Sequence, residues 1–297
     1  MEKKLLKRSL SFAMMIAVVF STIIASSFIK ANAAETEKAV TLTQGENTSQ
    51  HDTVQEAVAA VAADNTQAVI TLNKDFEGAG AVVKKDQNIV FNLNGFTWNI
   101  NSLVGSSGTE TNGVQLLQGS TVTIENGTLT SKTAKLLIQN YCDLTIRNAT
   151  LSGQDNLTEI IVSNNNGSTV ITGNSAVQAA AGGIAFDSDK WGGYQGGNVT
   201  LENGQVIGNV NATNGRKISL NGGTVTGDVI ASNYTYQGNE KTPANIVIDG
   251  ATINGNVTAQ NIGNISISSG TVTGLVSSES TSPVAVTGGV FHTTLGE

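Results

Sequence analysis

Cys142 is the only cysteine in these 297 residues, so no intrachain disulfide holds the fold and no lipid-attachment cysteine follows the N-terminus. Two histidines, His51 and His292, are too few for a His/Cys metal cluster, and no metal or cofactor is expected. Aromatic residues make up 5% of the chain and charged residues 13%. Basic residues become scarcer still past the N-terminus. Five of the 16 Lys and Arg lie in 1–33, as does one of the 23 Asp and Glu, which leaves 11 against 22 and a charge of about −11. That balance opposes binding to nucleic acid or to an anionic membrane. The composition is not a disordered one, because β-branched residues recur throughout at short intervals.

The first 33 residues read as an export signal. "MEKKLLKRS" is basic, "FAMMIAVVFSTIIA" is apolar, and "SSFIKANA" ends in a small-x-small site, so cleavage is expected after Ala33. The apolar run is short for a membrane anchor and is broken by Ser21 and Thr22. No second apolar span and no "LPxTG"-type sorting motif follows. The expectation is a secreted protein, with no transmembrane span after signal cleavage.

What the chain has in abundance is repetition. "VTLENGQVIGNVNA" from Val199, "ISLNGGTVTGDVIA" from Ile218, "IVIDGATINGNVTA" from Ile246 and "ISISSGTVTGLVSS" from Ile265 align residue for residue. Apolar residues hold the first, third, eighth and twelfth positions, and the tenth is Gly208, Gly227, Gly255 or Gly274. Weaker copies start at Val122, Leu144 and Val284, and Ser168–Val177 belongs to the series but loses the register. Starts at 199, 218, 246, 265 and 284 are 19 residues apart, with one interval of 28. Constant spacing with loop-sized insertions means stacked coils. Two or three alternating residues per strand, with Asn-Gly or Asp-Gly corners, predict three short strands per coil: an all-β, right-handed parallel β-helix of roughly eight to ten coils.

A rod of coils has open ends. "TVQEAVAAVAADN" places Val54, Ala57, Val58 and Val61 at helical spacing, and Thr53 with Glu56 forms a capping box, so an amphipathic helix is expected over the first coil. The division expected is a signal over 1–33, a cap helix with lead-in strands over 34–104, and coils over 105–297. The last repeat stops at Glu297 with no capping helix, so the expectation there is either further chain or an end-to-end contact with a partner. The stretches "HDTVQEAVAAV", "AVITLNKDFEGAGAVV", "IVFNLNGFTWNI" and "VTIENGTL" together resemble the opening of pectate-lyase-like right-handed β-helix proteins, of the adhesin-like type that bacteria export. "VAVTGGVF" is similar to their final coils. The resemblance covers most of 51–297 and implies a fold, export, and a cell-surface or carbohydrate setting. Its motifs are architectural, and the Asp-Asp, Gly-His-Gly and Arg-x-Lys sets of the lyases and polygalacturonases are absent here.

Chemistry-bearing residues are few. Cys142 alternates in phase with Ile138, Leu144 and Ile146, which predicts a buried, unreactive thiol. Asp228 reads as a solvated turn residue. The best carboxylate cluster is Asp187 and Asp189 in "FDSDKWGGYQGG", the first candidates if the protein is an enzyme. Two long loops, 187–197 and 232–245, should leave the same corner of the helix, with "NGRK" between them. That gathers Trp191, Tyr194, Tyr234, Tyr236, Arg216 and Lys217 as candidate binding residues, since exposed rings beside hydrogen-bonding groups stack on sugars; the competing reading has the rings fold back over the coil edge. The outward Thr pairs of "GTVTG" give a third possibility, an ice-binding face, interrupted by Gln205, Ile207 and Asn254.

The leading expectation is a non-catalytic, adhesin-like surface protein that recognises carbohydrate, with a polysaccharide lyase or glycoside hydrolase as the alternative. Trp191→Ala is expected to abolish retention on a panel of cell-wall and plant polysaccharides while leaving the melting temperature unchanged. Unchanged retention would remove the loop rings from the site.

Overall fold

The computed structural model describes residues 37–153, 158–189, 193–194, 196–214, 217–232 and 243–293. Strands β1 (Val40–Gln44) and β2 (Asn47–His51) form a hairpin that leads into helix α1 (Val54–Ala60). The first coil follows as β3 (Gln67–Leu72), β4 (Phe76–Ala79) and β5 (Ala81–Val83). The second is β6 (Asn88–Asn92), β7 (Thr97–Ser102) and β8 (Asn112–Leu116). In the next two coils the first two strands fuse: β9 (Thr121–Ser131) precedes β10 (Leu136–Asn140), and β11 (Asp143–Ser152) precedes β12 (Ile160–Asn164). Separate strands return as β13 (Ser168–Thr172), β14 (Ala176–Gln178) and β15 (Ile184–Asp189), then β16 (Asn198–Leu201), β17 (Gln205–Ile207) and β18 (Asn209–Thr213). After them come β19 (Lys217–Leu220), β20 (Thr224–Thr226) and β21 (Val229–Ser232). Two more coils, β22 (Asn245–Asn254) with β23 (Val257–Asn261) and β24 (Asn264–Val272) with β25 (Val276–Ser280), precede the short β26 (Ala285–Val286) and β27 (Val290–Phe291).

Among the described residues all coil-to-coil strand pairings are parallel, with one isolated antiparallel bridge between Asp189 and Asn214, so the chain is a parallel β-helix. The first two strands of each coil, with the hairpin, build an 18-stranded sheet, and the third strands build a nine-stranded one in the order β5-β8-β10-β12-β15-β18-β21-β23-β25. Eight spacings of about 4.8 Å make the second sheet roughly 38 Å long. The ladder already runs through β3 to β8, so the lead-in strands are themselves coils.

Inward residues stack on their own counterparts. Ile70, Phe91, Ile124, Ile146, Ile171, Leu201, Leu220, Ile248 and Ile267 form one column, every one of them buried. Each such side chain contributes roughly 1.5–3 kcal/mol of burial before entropy is counted. The stretch that loses its apolar register, Ser168–Val177, keeps its backbone register. Thr169 occupies the inward place between Leu144 and Val199 and is fully buried.

That threonine belongs to a polar seam inside the helix. The column holding Leu116 and, further on, Ala212, Ala231 and Ala259 carries Asn140, Asn164 and Ser188 in its middle rungs. Asn140 Nδ2 donates to Asn164 Oδ1 (2.7 Å) and to Thr169 Oγ1 (3.0 Å), and Thr169 Oγ1 donates to Asn164 Oδ1 (2.8 Å). Asn140 Oδ1 accepts from Cys142 N (2.9 Å), and Asn164 Nδ2 donates to the Asn198 carbonyl (2.9 Å). Buried amides are tolerated because they satisfy one another. Cys142 is buried beside them and its thiol is pushed up to about 12, chiefly by burial, with Asp143 adding to the shift and a hydrogen bond to Ser120 opposing it. A thiol so far from ionisation is a poor nucleophile.

A second ladder runs outside, at the corner between second and third strands. Asn209 Oδ1 accepts from Asp228 N (3.0 Å), Asp228 Oδ1 from Asn256 N (2.8 Å), and Asn256 Oδ1 from Leu275 N (2.9 Å). Asp228 is therefore not merely a solvated turn residue: its carboxylate ties one coil to the next. The tenth-position glycines share this corner because the backbones approach too closely for a side chain. A Cβ on Gly255 would lie 2.1 Å from the Gly227 carbonyl oxygen, and one on Gly274 would lie 2.4 Å from that of Gly255.

At the N-terminal end, β1 pairs antiparallel with β3 and closes the first sheet's edge. Helix α1 buries Val54, Ala57 and Val58. Thr53 Oγ1 accepts from Glu56 N (3.1 Å), whereas Glu56 Oε2 accepts from Asp52 N rather than from Thr53 (3.1 Å). The helix stops at Ala60, sooner than the spacing suggested, because Val61 turns extended and the chain must reach β3. Buried Gln87 caps the freed end, donating Nε2 to the carbonyls of Val58 (2.9 Å) and Val61 (3.1 Å). At the far end Val290 is 57% exposed on the last described rung. Among the described residues no helix is long and apolar enough to cross a membrane.

Gly255→Ala is expected to cost about 2–4 kcal/mol in urea unfolding. Thr226→Ala, on the exposed side of the same corner, should stay within about 0.5 kcal/mol. Equal stabilities would show that the corner can spread to admit a methyl group.

Candidate functional site

Third strands point every other residue outward, and register lines these residues up across coils. On the outer face of the second sheet one row reads Gln115, Gln139, Ser163, Asp187, Asn211, Ile230 and Thr258. Beside it, Asp189 pairs with Thr213, and Tyr141 and Asn165 follow β10 and β12 directly. The first four rungs of these rows floor a groove of about 560 Å³. Its rim is formed by Ser106, Thr109 and Thr111 on one side and by Tyr141, Asn165 and Asp189 on the other, with Lys135, Leu136 and Ile160 at the coil edge. Four strands at about 4.8 Å give it a length near 14 Å. The volume lies in the range of small-ligand sites.

Gln139 is the hub of the floor. Its Oε1 accepts from Asn112 Nδ2 (2.9 Å) and Gln115 Nε2 (2.8 Å), and its Nε2 donates to the Tyr141 hydroxyl (2.9 Å). Tyr141 is buried against Tyr194, ring centroids 4.6 Å apart and tilted by 45°. Burial, with Tyr194 adding to it, pushes the Tyr141 phenol up to about 12, so it stays protonated. Gly197, three residues beyond Tyr194, is held by the polar seam. Ser188 Oγ donates to the Gly197 carbonyl, and Gly197 N donates to the Asn164 carbonyl (3.1 Å).

The β15 end is acidic. Asp187 and Asp189 point to the same face two residues apart, roughly 6.6 Å along the strand. Asp189 is buried, and Asn165 Nδ2 donates to its carbonyl (3.4 Å). Asp187 is held protonated to about 7, first by burial and then by the Asp189 charge, while a hydrogen bond from Thr213 works the other way. Lys135 at the opposite edge is paired with Glu159 (3.3 Å).

Of the loop residues singled out from sequence, Tyr194 is half-buried on Tyr141, and Lys217 is exposed at the start of β19. Trp191, Arg216, Tyr234 and Tyr236 lie outside the described residues. The three connections do leave the same corner, each joining a third strand to the next coil's first. His51 and His292 sit at opposite ends of the ladder. The Thr rows are in register, but Ala176 and Gln178 enter them as well, alongside Gln205, Ile207 and Asn254. Gln115, Gln139, Ser163 and Tyr141 escaped the sequence reading, although aligning "VQL", "IQN", "VSN" and "FDS" by third strand puts the first three in one column. Comparison with family models, curated proteins and solved structures finds no match.

A raised carboxyl pKa gives a defined sign. Asp187 favours the folded state below its unfolded pKa near 3.9, and that contribution is lost as pH rises toward about 7. Asp187→Asn removes the loss. The variant should gain on the wild type by an amount on the order of 4 kcal/mol between pH 4 and pH 8 in urea unfolding. A constant difference across that range would mean that Asp187 ionises normally.

Proposed function

We propose that this chain is an exported, adhesin-like protein that binds carbohydrate along the groove on the second sheet. The observation that carries this reading is the row Gln115, Gln139, Ser163 and Asp187 on four consecutive rungs, running beside Tyr141. A glycan presents repeated hydroxyls that both donate and accept, and a ladder of amide, hydroxyl and carboxyl groups answers them at a regular spacing. Tyr141, buried under Tyr194, holds that ladder in place by accepting a hydrogen bond from Gln139. Export is supported by the basic, apolar and small-x-small pattern of the first 33 residues. This reading moves the site from the loop rings to the sheet face, with Tyr194 supporting Tyr141 from behind.

A second reading, a polysaccharide-cleaving enzyme, is favoured by one observation. Asp187 keeps its proton to about 7 while Asp189 lies two residues away, and a neutral carboxyl in a groove is what a general acid requires. Reducing-sugar release that disappears in Asp187→Asn would establish it.

On a glycan array, Gln139→Ala is expected to weaken binding at least tenfold, because it removes the hub that orients Asn112, Gln115 and Tyr141. Thr258→Ala, three rungs beyond Asp187 in the same row, should bind as the wild type does. Equal loss in both variants, or none in either, would take the site away from the groove.

A further inference from the structure

The two ends of the groove differ in what they leave unmet. Toward β8 and β10, amide donors and acceptors satisfy one another through Gln139. At β15 acceptors are in surplus. Asp187 Oδ1 is withdrawn from solvent without a hydrogen-bond partner, and on the next rung Asn211 Oδ1 is in the same condition. Among the described residues, the groups around Asp187 are Ser163 and Asn165 on the β12 side, Asn211 and Thr213 on β18, and Asp189 on its own strand. None of these carries a positive charge, and Lys135 across the groove is engaged by Glu159.

Buried oxygens without donors, beside a second carboxyl group, call for a group that only donates. A hydroxyl brings lone pairs with its proton, and a uronate brings acceptors and repulsion. An ammonium brings three N–H donors, no acceptor and the complementary charge. We propose that the β15 end of the groove is a subsite for a protonated amine, and that the glycan it takes is an amino-sugar polymer with free amino groups. This rests on the carbohydrate reading of the groove. Binding is coupled to a proton: the arriving ammonium favours the ionised form of Asp187, which releases its proton to solvent and gains a charged partner.

The test is calorimetry at pH 7 with glucosamine oligomers, their N-acetylated counterparts of equal length, galacturonate oligomers and calcium chloride. Buffers of different ionisation enthalpy report the proton released. The expected result is at least tenfold tighter binding of the free-amine oligomer than of the acetylated one, with proton release. Asp187→Asn should bring that ratio to within about threefold, while Thr258→Ala keeps it. Equal wild-type affinity for the two oligomers overturns the amine subsite and leaves the carbohydrate reading standing. So does a preference that survives in Asp187→Asn, preferential binding of galacturonate, or a calcium heat that Asp187→Asn abolishes. If no oligomer of any kind binds, the carbohydrate reading falls and the subsite falls with it.

Discussion

Apart from local shifts at Gly78/Ala79, Ile184/Phe186 and Ile248–Thr252, each described rung of this helix lies in register on the one before it, so a residue's nearest neighbours are its own counterparts one coil away. That constraint decides what each position tolerates. An inward column must be apolar throughout or polar in a way that satisfies itself; a corner where backbones nearly touch must be glycine in successive coils. Columns of Ile, Val and Leu meet the first requirement by burial, and Gly227, Gly255 and Gly274 meet the second by having no side chain. The outer face has no such demand, which leaves it open for binding.

The polar seam shows how the interior reaches the surface. Asn140, Asn164 and Thr169 take inward places that other coils fill with Ala, Leu or Val, and their amides complete one another's hydrogen bonds. The same seam fastens Gly197 and Asn198, a few residues beyond the Tyr194 that packs on Tyr141. Tyr141 in the groove wall directly follows the seam residue Asn140. Asp187 and Asp189 lie on the strand just before that return, where burial raises the proton affinity of Asp187.

The coils were legible in the sequence because their period is set by local chemistry: alternation within strands, Asn-Gly at corners, glycine at the tenth position. The capping helix was legible from Thr53, Glu56 and the spacing of Val54, Ala57 and Val58. The hairpin of β1 and β2 was not, because an edge-closing strand is defined by the partner it covers and carries no repeat of its own. Thr169 looked like a lost register, since its compensation comes from Asn140 and Asn164, up to 29 residues away in sequence. Asp187 and Asp189 drew notice as a carboxylate pair, but Gln139 and Tyr141 did not. An outward glutamine on one strand is unremarkable until three neighbouring rungs put polar groups above and below it.

Near-identical coils carry a hazard in folding. The units beginning at Val199, Ile218, Ile246 and Ile265 resemble one another closely enough that a strand could dock one whole coil out of place and still bury its apolar side chains. Asn140, Asn164 and Thr169 admit no such substitution, because a slipped coil would set Ala or Leu against amides that then have no partner, at roughly 1–3 kcal/mol for each group stranded. The seam therefore acts as a frame mark from which the repeats on either side are counted.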